Sequence, residues 1–265
     1  DQIFDFCYKY FGSEAKLATL SYSKVIIDEI QMYSPDLLAV IVIGLKHIVL
    51  SGGKFSILTA TMPPFLVDAL IEQGIEFNKP KPFISNDIRH SLEVVKDNIN
   101  AKFVIEKFSG NKVLVICNTV KAAQQLYLEL SEYYDNKSMV HIFHSGYIKR
   151  DRQRIENEIL NFTLPNNIDE GIWICTQVVE ASLDIDFDLL ITEMSDVSGF
   201  FQRMGRCFRK RILDDDRYNC FVFVGNNELL PSGVGTVIDK DIFKLSVNEL
   251  LGVDGKISEK DKVDI

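Results

Sequence analysis

Acidic and basic side chains occur at two points of the chain where their spacing suits the chemistry of a nucleoside triphosphate. Asp28 and Glu29 follow the apolar run VII at 25–27, and paired carboxylates at a strand end suit a metal ion that bridges nucleotide phosphates. Farther along, Arg203, Arg206 and Arg209 recur at helical spacing, and the guanidinium fork of arginine matches phosphate oxygens bidentately. Together the two groups predict the two faces of an NTP site.

The elements that must position these residues alternate between strand and helix. Short apolar segments at 24–28, 54–59, 112–117, 171–175 and 189–193 are typical of strands buried in a parallel sheet, and the segments between them are typical of covering helices. Ligands of such sheets bind at the carboxyl ends of the strands. The polar residues at or just beyond these predicted ends are Asp28, Thr59, Thr119, Thr176 and Asp184.

Composition narrows the class of protein. The chain has 265 residues, 29 basic against 38 acidic side chains and a net charge of −9, which argues against a generally basic nucleic-acid binder but leaves room for a local basic groove. Its five cysteines include no CxxC pair, which favours reduced thiols. No apolar run reaches the length of a membrane span and no signal pattern opens the chain, so we expect a cytoplasmic protein without a membrane partner.

Five motifs follow one another in an order that resembles the core of a superfamily 2 helicase. They are DEIQ at 28–31, TAT at 59–61, CNTVKAA at 117–123, TQVVEASLDID at 176–186 and QRMGRCFR at 202–209. The sequence in and around these motifs is closer to one family, as in VIIDEIQMYSPDLLAVI, LTATMPPFL and FHSGYIKRDR. That family is the helicase of type I CRISPR interference, a helicase–nuclease that degrades foreign DNA.

The resemblance implies an α/β protein with two RecA-like lobes, whose parallel sheets are covered by helices and of which the first is incomplete. Residues 1–82 would be the C-terminal part of the first lobe and 83–225 the second, and the tail 226–265 could begin an accessory C-terminal region. The chain contains neither GxxxxGKS nor GxxxxGKT, the loop whose amides and lysine hold phosphates. It also lacks the His-Asp pair of the family's HD nuclease domain. We therefore expect the isolated chain to be inactive as an ATPase and infer no nuclease activity.

The implied function is part of an ATP-dependent DNA helicase or translocase of type I CRISPR interference. Such an enzyme uses hydrolysis of ATP with Mg²⁺ to unwind or move on single-stranded DNA. Its implied partners are single-stranded DNA, a Cascade-type CRISPR surveillance complex, and a nuclease domain or subunit. Two alternatives stay open: another superfamily 2 translocase or RNA helicase, and a non-enzymatic lobe fragment that binds nucleic acid or a partner.

In the first lobe, the resemblance implies that Asp28 and Glu29 are catalytic and hold Mg²⁺ through water. Gln31 would contact the cofactor and couple its state to the other lobe, while Thr59 and Thr61 would link hydrolysis to strand movement. Each role has a structural alternative. An acid at a strand end or a threonine before a helix can cap that helix, and Gln31 can be a plain surface amide.

In the second lobe, the resemblance implies that Asn118, Thr119 and Thr176 bind the sugar–phosphate chain without reading bases. Helix capping is their structural alternative.

The remaining implied roles concern the nucleotide. Asp184, Gln202 and Arg203 would bind the cofactor, although Asp186 and Asp188 are close enough to leave the choice of carboxylate open. Arg206 and Arg209 match the family's catalytic phosphate sensors. Their alternative is a solvated basic helix.

Overall fold

The computed structural model describes residues 3–59, 62–81, 84–136, 138–180 and 183–265. It divides the chain into two compact units, 1–83 and 84–265. Both units alternate strands with helices, which confirms the predicted α/β class. The predicted lobe boundaries stay predictions. Within the described part of the chain, no helix is both long and apolar enough to cross a membrane.

The N-terminal unit is built around a pair of parallel strands. Strands β1 and β2 run in register from Lys24 opposite Lys54 to Asp28 opposite Leu58. Its helices and strands, with two short 3-10 turns at Asp5–Tyr8 and Ile30–Met32, are α1 (Ser13–Leu20), β1 (Lys24–Asp28), α2 (Pro35–Leu50), β2 (Lys54–Leu58) and α3 (Pro64–Glu72).

Helix α2 holds β1 in place. It begins where the Ser34 hydroxyl accepts a hydrogen bond from the Leu37 amide and Pro35 supplies a preset first turn. Its buried face, which includes Leu45 and Ile48, packs in the same core as Val25 and Ile27 of β1. The end of β1, where the acidic pair lies, is therefore supported by a helix along its length.

The C-terminal unit contains a seven-stranded sheet in the order β5-β6-β4-β7-β8-β3-β9. All neighbouring strands pair in parallel except β9, which pairs antiparallel with β3. The elements are β3 (His90–Val95), α4 (Ala101–Lys107), β4 (Lys112–Ile116), α5 (Val120–Tyr133), β5 (Val140–Phe143), α6 (Lys149–Phe162), β6 (Gly171–Cys175), β7 (Leu189–Glu193), α7 (Val197–Met204), β8 (Cys220–Phe223), α8 (Lys240–Leu250), β9 (Gly255–Ile257) and α9 (Glu259–Asp264).

Both faces of this sheet are covered, which explains the unbroken apolar sequence of its strands. On β4, Val113 and Val115 join the core formed with α4 and α5, whereas Leu114 and Ile116 join the core formed with α6, α7 and α8. Because each face is dry, polar side chains collect where the strands end.

The last forty residues belong to this unit. Phe243 and Leu250 of α8 and Ile257 of β9 are buried in the same core as Leu114. The assignment of 226–265 to an accessory region stays a prediction, but these residues complete the sheet edge beside β3.

Core packing gives a first test. Leu114 is fully buried in β4, whereas Leu128 on α5 is 62% exposed. Leu114→Ala should lower the free energy of unfolding by about 2–5 kcal/mol because a cavity replaces part of the core. The same change at Leu128 should cost less than about 0.5 kcal/mol. Urea denaturation of both variants measures the two free energies of unfolding, and equal losses of stability would contradict this packing.

Candidate functional site

The acidic pair of the N-terminal unit lies exposed at the carboxyl end of β1. Val25 and Ile27 are buried, whereas Asp28 and Glu29 are exposed. The Glu29 amide donates to the Leu58 carbonyl at 2.9 Å, which extends the strand pairing by one step. Glu29 then adopts a left-handed backbone with φ 51°, and the chain turns into the 3-10 segment. Both carboxylates are thus held on a fixed backbone and open to solvent.

A chain of hydrogen bonds joins two of the motifs. The Gln31 side-chain amide donates to a carboxylate oxygen of Glu29, and the Thr59 hydroxyl donates to the Gln31 carbonyl oxygen at 2.5 Å. Thr59 directly follows β2, so the ends of both strands are connected through side chains. Thr61 lies outside the described residues.

The donor set of this region fits magnesium. Among the described residues, no group of three or more His, Cys, Asp or Glu side chains comes together as a metal cage. Mg²⁺ is usually held by one or two carboxylates together with phosphates and water. Asp28 and Glu29 would hold it, and the ion would neutralise phosphate charge when bound.

Arg203 in the C-terminal unit is a buried positioning group. Its side chain is 1% exposed, and its Nε lies 2.7 Å from Glu180 Oε1. Its Nη1 donates to Thr192 Oγ1 at 3.0 Å and to the Glu193 carbonyl at 2.6 Å. Burial raises the pKa of Glu180, and the neighbouring Arg203 opposes that shift. The guanidinium therefore ties α7 to the end of β7 and to the turn that carries Glu180.

The three arginines do not share a helix face, so that expectation is wrong. Helix α7 ends at Met204, and Arg206 and Arg209 lie in the turn that follows. Phe208 has a left-handed backbone with φ 48°. Two backbone hydrogen bonds hold the turn beside the segment that leads into β7. The Phe187 amide donates to the Arg206 carbonyl, and the Phe208 amide donates to the Phe187 carbonyl.

In this turn, both remaining arginines contact the segment before β7. Arg206 Nη1 donates to the Leu183 carbonyl at 2.5 Å, and Nη2 donates to the Glu180 carbonyl. Arg209 Nε forms an ion pair of 2.8 Å with Asp184 Oδ1 and is partly exposed. Gln202 lies half-buried on α7.

The candidate carboxylates for nucleotide contact, Asp184, Asp186 and Asp188, differ in their exposure and in their hydrogen-bond partners. The Asp184 side chain is 59% exposed, and its hydrogen bond from Lys210 is the main cause that lowers its pKa. Asp186 accepts from the Arg209 amide at 2.9 Å, Asp188 accepts from the Lys112 amide at 2.8 Å, and both pair with Arg211. Asp184 is thus the most exposed of the three.

The predicted nucleic-acid residues lie at the ends of β4 and β6, mostly turned inward. Asn118 is 2% exposed, and its side-chain amide donates to the Met194 carbonyl at 2.9 Å. Thr176 is buried as well. The Thr119 hydroxyl accepts from the Ala122 amide at 3.2 Å, which confirms its capping of α5.

Sequence reasoning missed one residue that organises this edge. Glu193 ends β7 and is buried. Its carboxylate accepts hydrogen bonds from the Asn118 amide at 2.6 Å, from the Ser232 amide at 2.9 Å and from the Ser232 hydroxyl at 2.6 Å. An acid at the end of a strand that begins with three apolar residues was the available signal, because a buried carboxylate needs such partners.

Comparison with known proteins finds similarity to one family. Residues 109–212 match the family model described as CRISPR-associated nuclease/helicase Cas3, C-terminal. A curated CRISPR-associated nuclease/helicase Cas3 from Methanothermobacter thermautotrophicus is 29% identical over 233 residues, which cover 82% of this chain and 27% of the relative. The chain is similar to Cas3 proteins over most of its length. It spans about a quarter of the length of that curated Cas3 relative.

Solved Cas3 structures agree with the fold. The crystal structure of T. fusca Cas3 with ATP aligns with a TM-score of 0.82 at 17% identity, covering 96% of this chain and 36% of that one. A structure described as a CRISPR RNA-guided surveillance complex, pre-nicking, aligns at 0.73 and 19% identity, with 96% and 38% covered. These similarities confirm the predicted RecA-like α/β architecture.

The buried ion pair yields a stability prediction. Arg203→Met should lower the free energy of unfolding by about 3–5 kcal/mol because Glu180 is left buried without its charge partner. Arg209→Met, the matched control, breaks a half-exposed pair and should cost about 1 kcal/mol or less. Denaturant unfolding of both variants measures the difference. The double change Arg203→Met with Glu180→Met should recover part of the loss, and no recovery would contradict the assigned pairing.

Proposed function

We propose that this chain is part of an ATP-dependent DNA helicase or translocase that acts in type I CRISPR interference, with ATP and Mg²⁺ as cofactors. Similarity to a curated relative that is named a nuclease/helicase supports the class of enzyme. The acidic pair at 28–29 and the arginine turn at 206–209 each carry side chains suited to the chemistry of a nucleoside triphosphate.

One observation carries the proposal: the Thr59–Gln31–Glu29 hydrogen-bond chain beside Asp28. A hydrolase needs a carboxylate that orients or activates water and a second that holds the metal. A motor must also transmit the state of the nucleotide to other parts of the protein. A side-chain relay from Glu29 to Thr59, which lies at the end of a different strand, is suited to that task.

The arginine turn supplies the second part. Arg206 and Arg209 carry positive charge to the edge where Asp184 lies, and Arg209 exchanges between a half-exposed carboxylate and a phosphate at little cost. In hydrolysis these arginines would stabilise the charge that develops on the transferred phosphoryl group. Arg203 would orient the turn without touching the nucleotide.

The proposed nucleic acid is single-stranded DNA, contacted through its phosphates near Thr119. Phosphate contacts are independent of sequence and weaken as salt rises. The proposed macromolecular partners are a Cascade-type surveillance complex and a nuclease domain or subunit. Similarity to a protein in a surveillance-complex structure supports the first, and the nuclease/helicase name of the relative supports the second.

The first functional prediction concerns the intact protein's ATPase. Turnover should rise with a single-stranded DNA oligonucleotide more than with RNA of the same sequence. Asp28→Asn should lower turnover by about 10²–10⁴-fold because it weakens metal binding and water activation. Asp36→Asn, a matched exposed acid at the start of α2, should leave turnover unchanged. A phosphate-release assay measures the wild-type turnover with DNA and with RNA and the turnover of the two variants.

The outcomes separate the alternatives. Stimulation by RNA alone would favour an RNA helicase. ATP turnover that is absent with either nucleic acid, while the chain still binds DNA, would favour a binding module. Equal losses for the two Asp→Asn variants would mean that Asp28 has no special role.

The second functional prediction concerns Arg206. In the intact protein, Arg206→Ala should lower kcat by about 10³-fold or more, with little change in nucleotide Kd because the contact is made in the transition state. Arg206→Lys should not restore turnover, since lysine lacks the planar fork. Lys210→Ala, which removes an exposed basic side chain from the same region, serves as the control.

Because Arg206 also donates to the carbonyls of Glu180 and Leu183, thermal melting of each variant must accompany the kinetics. Near-normal turnover in folded Arg206→Ala would overturn its catalytic assignment.

A further inference from the structure

The turn that carries Arg206 and Arg209 is held by two neighbouring side chains at the start of β3. His90 Nε2 lies 2.8 Å from the Met204 carbonyl oxygen and 2.7 Å from that of Cys207. Arg89 Nη1 donates to the Arg209 carbonyl at 2.8 Å. Three carbonyls of one short turn are therefore fixed by one dipeptide.

The partners of His90 determine its tautomer. Carbonyl oxygens can only accept, so Nε2 carries the proton and donates; Lys262 Nζ, which lies 3.0 Å from Nδ1, can only donate, so Nδ1 accepts. Burial, with the nearby charge of Lys262, lowers the pKa of His90 to about 3. The ring is thus neutral at physiological pH, and its single N–H points at the turn.

The C-terminal helix α9 supports the same dipeptide. Lys262 Nζ pairs with Glu259 Oε1 at 2.8 Å, and Arg89 Nη2 pairs with the same oxygen at 2.5 Å. The Lys262 side chain is only 11% exposed. Its ammonium group therefore depends on these protein partners rather than on bulk water. Strand β9, which leads into α9, pairs with β3 at His90 opposite Ile257. The network is therefore anchored by backbone as well as by charge.

We propose that Lys262 and Glu259 of α9, acting through Arg89 and His90, are positioning residues for the arginines of hydrolysis. This inference rests on the proposed function and gives α9 a role that is exerted through Arg89 and His90. Residues 255–265 would then set the position of Arg206 and Arg209 rather than merely close the sheet edge.

The position of the turn depends on the hydrogen bonds that Arg89 and His90 donate to its carbonyls. Without Lys262, His90 Nδ1 loses its donor, so one of the contacts that orient the ring and favour the Nε2–H tautomer is gone, and the hydrogen bonds to the Met204 and Cys207 carbonyls weaken. A turn with loosened carbonyls samples several positions. Catalytic groups need placement within fractions of an ångström, so turnover should suffer more than folding.

The first test measures the turn directly by amide hydrogen exchange in the 265-residue chain. Lys262→Met keeps most of the aliphatic stem and removes the charge. It should speed exchange at the amides of 206–209 by about tenfold, in line with the loss of a charge-assisted hydrogen bond. The amides of α5 should be unchanged. Lys260→Met, an exposed lysine on the same helix, should have no effect at either place.

The second test measures turnover in the intact protein. Lys262→Met should lower kcat about tenfold while nucleotide KM stays near normal, because positioning acts on the transition state. His90→Gln keeps an N–H that can reach the carbonyls and should retain more turnover than His90→Leu. A merely structural role would instead lower the amount of folded protein and leave kcat per folded molecule unchanged.

The outcomes decide the inference separately from the proposed function. If Lys262→Met behaves like Lys260→Met in exchange, the network does not hold the turn and the inference falls. If exchange rises but kcat stays at the wild-type value, the turn is held by the network but the arginines do not depend on it, and the inference falls as well. An intact protein without ATPase activity in wild-type form would overturn the proposed function, and the exchange data would still show whether α9 fixes the turn.

Discussion

A buried guanidinium needs hydrogen-bond acceptors around it, because it carries a charge away from bulk water and can only donate. Arg203 donates to the Glu180 carboxylate, the Thr192 hydroxyl and the Glu193 carbonyl. These partners come from two separate segments, so the end of α7 has one position relative to both. The direction of the following turn, and hence the placement of Arg206 and Arg209, depends on this group.

Charge around the turn is balanced locally even though the chain carries a net −9. Acids between 180 and 188 pair with arginines between 203 and 211. The ion pairs differ in the free energy that is needed to break them. Breaking the buried Arg203–Glu180 pair costs about 3–5 kcal/mol, whereas the half-exposed Arg209–Asp184 pair is worth about 1 kcal/mol or less. The Arg209–Asp184 pair can therefore open while Arg203 stays in place, and burial determines which arginine is structural.

Local sequence predicted the strands and the order of the motifs, because strands buried on both faces are continuously apolar. It did not predict where side chains point. The spacing of Arg203, Arg206 and Arg209 is helical, yet the backbone leaves the helix after Met204 because pairing with Phe187 competes successfully with one more helical turn. Likewise, β9 is a short polar segment that becomes a strand only by pairing with β3, a contact between distant parts of the chain. Long-range partners, which periodicity does not report, account for these differences.

Capping and ligand contact do not exclude each other at the ends of parallel strands. A threonine hydroxyl has one proton to donate and lone pairs to accept with. The Thr119 oxygen accepts from the Ala122 amide, and its proton can still be donated to a phosphate. Asn118 differs, because its amide already donates to Met194 within a buried site, and its backbone amide is held by Glu193. At this edge, then, the Asn118 side chain is committed to internal hydrogen bonds, whereas the adjacent Thr119 keeps a hydroxyl proton that its capping bond does not use.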